Sequence, residues 1–306
     1  MKELVELVEV SPRDGIQNEK KILSTFQKLE LISRAIDSGF RRIEVTSFVN
    51  PNKVPQMFDT DQLIENLPQK KLENMEFIGL VLNEKGFKRA LKSNLDVANY
   101  VIVASDTFSI RNQGTNTFEN LKVLEKIHFE SVNKIQIATT IGASFGCPFE
   151  GEISVAHLLS IVDRIAKIGL SEICLADTIG VATPKDIKTK LRAISSSFPH
   201  LKVRLHLHNT RNTGIANAWA GIEEGVLGLE SSFGGSGGCP FAPKATGNIP
   251  TEDLIYMLDR SGIKTGISLA KSIETAKWLE KQLEKPLPGL LKTTDTFPPQ
   301  DNYEQL

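Results

Sequence analysis

The 306-residue chain carries 36 basic and 37 acidic side chains, a net charge of −1, and 40% hydrophobic and 24% charged residues, the balance of a folded soluble protein. Its interleaved charge leaves no cationic face for nucleic acid or anionic lipid, no apolar run approaches the ~20 residues of a membrane span, and the acidic start lacks the cationic region of a secretory signal. The chain therefore reads as cytoplasmic, with Cys147, Cys174 and Cys239 as free thiols rather than a disulfide framework or a CxxC metal site.

In chain order, β-branched runs predict strands over 4–10, 42–47, 76–82, 98–104, 134–140, 172–176, 202–208 and 229–233. Segments of helical period lie between most of them. In Thr25 to Ser38, for example, Phe26, Leu29, Ile32 and Ile36 mark an apolar face. Strands alternating with helices imply a parallel sheet, and eight such units favour a closed (β/α)8 TIM barrel over an open dinucleotide-binding sheet. The first turn, Ser11-Pro-Arg-Asp-Gly15, also lacks the GxGxxG such a sheet would show. Residues 1–267 are assigned to the barrel as one catalytic domain, and residues 268–306 to a C-terminal extension. The extension consists of a helix from Ser268 through Lys281 and a proline- and lysine-rich tail from Lys285 that is expected to pack loosely.

Several strand ends carry chemistry. Arg13-Asp14 follows the first, offering a planar cation suited to a developing oxyanion and a hard oxygen ligand, although an Asp turn cap beside a surface arginine would look the same. Glu44 lies between Ile43 and Val45 and so faces inward, where a carboxylate needs a partner; it can anchor Arg13 or steer a metal-bound water. Asp177 follows the sixth strand, as an acid at the mouth or as a turn cap. In Arg204-Leu-His-Leu-His208 the two histidines are two residues apart on a strand, so His206 and His208 point the same way and can share one metal, or else cap hydrogen bonds. The C-terminal ends of barrel strands are where active sites form, which favours the metal. Beyond the eighth strand, Gly234-Gly-Ser-Gly-Gly-Cys-Pro240 has the backbone freedom of a lid, with Cys239 as a proton donor or acceptor, or an inert thiol.

Taken in order, these segments resemble the 3-hydroxy-3-methylglutaryl-CoA lyase family of metal-dependent TIM-barrel lyases. The resemblance rests on Val8-Glu-Val-Ser-Pro-Arg-Asp-Gly-Ile-Gln-Asn-Glu-Lys20, Ile43-Glu-Val-Thr-Ser-Phe48 with Pro55-Gln-Met57, Asp177-Thr-Ile-Gly180, and Gly237-Gly-Cys-Pro-Phe-Ala-Pro243. It continues through Ala245-Thr-Gly-Asn248 and Thr251-Glu-Asp253 and covers about residues 5 to 260. It implies a divalent metal, Mg2+ or Mn2+, held by Asp14, His206, His208 and Asn248, with His206 counted among the catalytic residues as well. Arg13 would stabilise the enolate of the departing acyl-CoA, Cys239 would move a proton, Glu44 and Asp177 would be active-site acids, and Lys20 would lie near the CoA phosphates. The implied partners are an acyl-CoA substrate and a second copy of the chain in a homodimer.

The implied reaction is a retro-Claisen cleavage of 3-hydroxy-3-methylglutaryl-CoA to acetyl-CoA and acetoacetate. One departure stands out: after the second histidine the best-known lyases continue Asp-Thr-Tyr-Gly, whereas this chain has Asn209-Thr-Arg-Asn-Thr-Gly214. Asn209 replaces a carboxylate, and Arg211 would add a cation at the mouth able to grip a substrate carboxylate, which brings in citramalyl-CoA as a competing substrate. Two alternatives are a Claisen-type acyl-CoA synthase, running the chemistry in reverse, against which the resemblance of Gly237-Gly-Cys-Pro240 to the lyase branch speaks, and a non-catalytic barrel that binds CoA esters, against which Arg13, Asp14, both histidines, Cys239 and Asn248 together speak.

Overall fold

The computed structural model describes residues 4–238, 247–294 and 297. Its strands are β1 (Glu6–Glu9), β2 (Arg42–Ser47), β3 (Glu76–Val81), β4 (Val97–Val103), β5 (Gln136–Gly142), β6 (Glu172–Asp177), β7 (Lys202–Leu207) and β8 (Gly228–Ser231). All pair in parallel in sequence order, and β1 pairs with both β2 and β8, closing the barrel. This is the (β/α)8 TIM barrel that the strand spacing predicts.

The connecting helices are α1 (Thr25–Ser38), α2 (Thr60–Glu65), α3 (Glu84–Ala90), α4 (Asp106–Gln113), α5 (Thr117–Ser131), α6 (Val155–Ile168), α7 (Pro184–Ser197), α8 (Gly214–Glu223) and α9 (Thr251–Arg260), with α10 (Leu269–Leu283) beyond the barrel. Helix α1 illustrates how local signals set the ends. Ser24 and Gln27 form a reciprocal capping box, and Gly39 ends the helix at φ +109°. Its buried stripe, however, runs through Lys28, Leu31, Ile32, Ala35 and Ile36, while Phe26, expected on the apolar face, is exposed. Lys28 takes the inward position one turn before Ile32, because its ammonium meets Asp59 at 2.6 Å, a buried pair.

The main hydrophobic core lies between the strands and the surrounding helices, and a small plug of Val8, Val10, Ile78, Val97 and Ala138 forms a second apolar cluster. Beside them runs a chain of charge. Arg42 on β2 contacts Glu6 at 3.0 Å, Glu76 at 2.8 Å and Glu172 at 3.1 Å. Glu172 also pairs with Arg204 on β7, which reaches Glu230 on β8 at 2.9 Å. Glu230 in turn accepts from His206 Nδ1 at 2.8 Å. Such groups survive burial only because each carboxylate meets a cation or a donor.

The segment after α10 corrects one expectation. Rather than packing loosely, residues 285–294 lie against the body: Leu287 and Leu291 are buried, Lys292 pairs with Glu280 at 2.5 Å, and the Leu290 and Leu291 amides donate to Asp253. Apolar side chains alternating with the prolines supply the burial that charge content alone does not suggest. Cys147 and Cys174 are free and buried, and among the described residues no helix is long and apolar enough to cross a membrane.

Arg204 is the buried cation that joins Glu230 to the partly buried Glu172; these two carboxylates also keep His206 and Arg42, respectively, as partners. Arg204→Ala is expected to lower unfolding stability by about 3–5 kcal/mol in urea denaturation, the usual effect of removing one partner of a buried ion pair. A loss below about 1 kcal/mol would mean that Glu172 and Glu230 find substitute partners or protons.

Candidate active site

The site begins where β1 ends. Ser11–Gly15 forms a single π-helical turn in which the Gly15 amide donates to the Val10 carbonyl at 3.1 Å. Such turns re-aim side chains at functional sites. This one needs glycine at its end, since a Cβ on Gly15 would fall 2.6 Å from Ser232 Oγ. The turn directs Arg13 and Asp14 together into the mouth.

Arg13 lies between two acids, with its guanidinium 2.5 Å from Glu44 on one side and 2.5 Å from Asp14 on the other. Glu44 faces inward as the strand alternation requires, at a register shift between Glu44 and Thr46, and Asn99 donates to its free oxygen at 3.3 Å. Burial alone would raise the pKa of Asp14, but the charge of Arg13, with the neighbouring imidazoles, outweighs it and holds the carboxyl well below the ordinary range.

His206 and His208 meet Asp14 from β7. Their Nε2 atoms are 3.1 Å apart and lie 4.0 and 3.9 Å from Asp14 Oδ2. Taking one atom from each of the three side chains, all ligand atoms fall within 4.8 Å of one another, a cluster able to hold a metal ion. Asn248 completes the ring: it bridges to His208 through the backbone, and its Nδ2 donates to Asp14 at 2.8 Å and to the Ser236 carbonyl at 3.0 Å. That leaves Asn248 Oδ1 buried without a partner. An orphaned acceptor beside two convergent imidazoles and a carboxylate fits a cation and is costly otherwise.

Glu230 is a site residue that sequence reasoning missed. It stands opposite His206 in the β7–β8 register and accepts from Nδ1, which directs the Nε2 lone pair toward Asp14 and His208. Burial would pull His206 toward its neutral form, yet the hydrogen bond and charge of Glu230 and the charge of Asp14 raise its pKa on balance. A signal for it exists, because Glu230 sits between Leu229 and Ser231 and shares the inward parity of the eighth predicted strand.

The remaining expected residues take different places. Both carboxylate oxygens of Asp177 accept backbone amides, from Val181 at 2.9 Å and Ala182 at 3.0 Å, so it builds the turn that presents Thr178 to the cavity. Lys20 is exposed, just beyond Gln17 and Asn18 on the cavity rim. Cys239 lies outside the described residues; the wall can be followed to Gly238, whose carbonyl accepts from Asn18 at 2.9 Å. Arg211 does not supply the cation expected at the mouth. Its Nη1 donates to the carbonyls of Ile179 at 3.0 Å and Gly180 at 2.8 Å, and Asn209 accepts the Gly214 amide at 2.9 Å, so both organise the loops before α7 and α8.

The cavity, about 160 Å³, opens between this cluster and a second wall made by Leu80, Leu82, Val101, Val103, Phe108, Asn112, Thr140, Gly142, Ala176 and Thr178. The family model described as HMGL-like matches residues 4–279. The (R)-citramalyl-CoA lyase of Chloroflexus aurantiacus is 40% identical, covering 97% of each chain, and the hydroxymethylglutaryl-CoA lyase YngG of Bacillus subtilis is 35% identical over 93% of this chain and 95% of its own. Among solved structures, an HMG-CoA lyase from Acinetobacter baumannii in complex with coenzyme A and 3-methylmalate superimposes with a TM-score of 0.91 at 36% identity, over 97% of this chain and 98% of that one.

Glu230→Gln keeps the size of the side chain but removes its charge and adds an amide donor able to meet Nδ1, so the tautomer with Nε2 free is no longer enforced. Titration calorimetry with Mn2+ is expected to show affinity roughly ten- to a hundredfold weaker than in the parent chain, the usual effect of losing a residue that orients a ligand. Equal affinity in the two proteins would rule out this orienting role.

Proposed function

The chain belongs to the HMGL-like family and is a carbon–carbon lyase of the hydroxymethylglutaryl-CoA lyase type; from that premise we propose a divalent-metal-dependent retro-Claisen cleavage of 3-hydroxy-3-methylglutaryl-CoA to acetyl-CoA and acetoacetate. The observation that carries it is the contact of Arg13 with Asp14, which sets a fixed guanidinium beside a cluster suited to a cation. In the reaction a general base takes the proton of the tertiary hydroxyl, the Cα–Cβ bond breaks as the carbinol oxygen becomes a carbonyl, the electron pair collects as a thioester enolate, and the enolate carbon takes up a proton from a general acid. Mg2+ or Mn2+, held by Asp14, His206, His208 and Asn248, would supply Lewis acidity toward the oxygens of the substrate.

The protein's own groups divide the remaining work. Arg13 lies beside the thioester oxygen and stabilises the charge that develops there, while Glu44 fixes the plane of its guanidinium. His206, held by Glu230 through Nδ1, keeps its Nε2 aimed at the point where the cation would be held. Cys239 delivers the proton to the enolate carbon, and Lys20, exposed at the rim, meets the CoA phosphates. Asp177 acts through its turn by presenting Thr178.

A second reading, citramalyl-CoA cleaved to acetyl-CoA and pyruvate, has its own support. The citramalyl-CoA relative is 40% identical over nearly the whole chain. Among the described residues Arg13 is also the one lysine or arginine lining the cavity, and it is already paired with Glu44 and Asp14. A carboxylate borne on the carbinol carbon itself, as in citramalate, asks less of the far wall than one carried a carbon further out.

Acetyl-CoA release from both thioesters, before and after chelation, tests the lyase reading. Arg13→Met should keep metal occupancy and lower kcat about 10²–10³-fold, as removal of an oxyanion donor does, with Arg13→Lys recovering little. A change confined to KM would make Arg13 a substrate anchor, and near-normal rates in both variants would defeat the mechanism.

A further inference from the structure

The mouth of the barrel is divided. The charged half comes from β1, β2, β7 and β8, whereas β3 to β6 and α4 present Leu80, Val101, Val103 and Phe108 over a floor of Gly142 and Ala176. Three polar side chains interrupt this half: the exposed amide of Asn112 on α4, and two hydroxyls that are both engaged, Thr140 donating to Asn99 Oδ1 at 3.1 Å and Thr178 accepting the Ala143 amide at 2.9 Å. Between β3 and β6, away from Asn112, the surface is matched to an alkyl group and, with no cation in it, poorly matched to a carboxylate.

Gly142 is the informative position. A Cβ built there would lie 3.7 Å from the Ile102 carbonyl oxygen, Thr178 Oγ1 and Val103 Cγ2, which is ordinary van der Waals contact, and its backbone is outside the left-handed region. At Gly79 on β3, by contrast, a Cβ would fall 2.6 Å from Leu95 Cδ1 and 2.8 Å from Phe48 Cε2, so packing demands glycine. Nothing in the backbone or the packing demands it at 142. What the missing side chain leaves is room in the cavity, beside an alanine that leaves more.

We propose that the apolar half is a specificity pocket for the alkyl branch on the carbinol carbon of the substrate, with Gly142 and Ala176 giving it depth for branches longer than methyl; this inference rests on the lyase reading above. Each added CH2 that the pocket buries should raise kcat/KM about fourfold, the equivalent of 0.8 kcal/mol.

The test compares kcat/KM for two series of CoA thioesters, 3-hydroxy-3-methylglutaryl-CoA and citramalyl-CoA with the methyl replaced by ethyl or propyl, on the parent chain and on Gly142→Val. In whichever series the methyl compound is cleaved, kcat/KM should rise with each carbon in the parent chain. Gly142→Val should lower the propyl-to-methyl ratio at least tenfold. The pocket is overturned if each added carbon lowers kcat/KM in the parent chain, or if valine reduces all homologues by the same factor. Circular dichroism checks the fold of the variant, and Gly142→Ala, whose added methyl meets no clash, carries the same comparison with a smaller change if valine unfolds the chain. Cleavage of no member of either series overturns the lyase reading itself, and the pocket with it, whereas cleavage of the methyl parents alone overturns the pocket only.

Discussion

Glu230 joins two systems that would otherwise be independent. On one side it neutralises Arg204, the upper end of a charge chain that runs through Glu172 to Arg42 and Glu6. On the other it holds His206 Nδ1, and so determines which imidazole nitrogen faces Asp14 and His208. Even the buried Cys174 thiol, kept protonated by burial, donates to the same carboxylate at 3.4 Å. The charges inside the barrel that hold its strands in register therefore also orient the site at its mouth. A change made low in the barrel should be felt at the ligands, because the side chains between them are packed and paired rather than solvated.

The division of the mouth follows from the same arrangement. Burying so many ions requires partners within hydrogen-bonding distance; lower in the barrel these include Glu76 on β3 and Glu172 on β6, but at the mouth they come from β7, β8, β2 and the turn after β1. Where they line the cavity, the strands opposite present valine, leucine and small residues, with Thr140 as their one polar side chain. A site with fixed dipoles on one side and dry hydrocarbon on the other suits a reaction that develops charge at two oxygens while a branched carbon skeleton separates. Water has little to bind on the apolar side, so that wall contributes shape rather than charge.

Much of this was legible in the amino-acid order. The period-two parity of Arg204-Leu-His-Leu-His208 and of Ile43-Glu-Val45 correctly faced three ionisable groups inward, and the recurrence of β-branched runs marks all eight strands of the barrel, with ends that differ most at the first, fifth and eighth. What stayed hidden depended on pairing between strands. Glu230 gains its meaning only from the β7–β8 register that sets it opposite His206, and no local pattern specifies that register. Arg211 looked like a free cation because a guanidinium beside the mouth is indistinguishable, in one dimension, from one that ties down the carbonyls of a neighbouring loop. Phe26 failed for a related reason. Helical period marks a face, but the buried Lys28–Asp59 pair decided where that face turns inward.

The most direct test is where a cation sits. Crystals grown with Mn2+ and measured at the manganese absorption edge should give one anomalous peak in the cavity, in contact with Asp14, His206 and His208 and with the otherwise unpartnered Asn248 Oδ1. A peak bound elsewhere in the mouth, or a cluster that stays free of manganese while the enzyme in the same buffer cleaves its thioester, would contradict it.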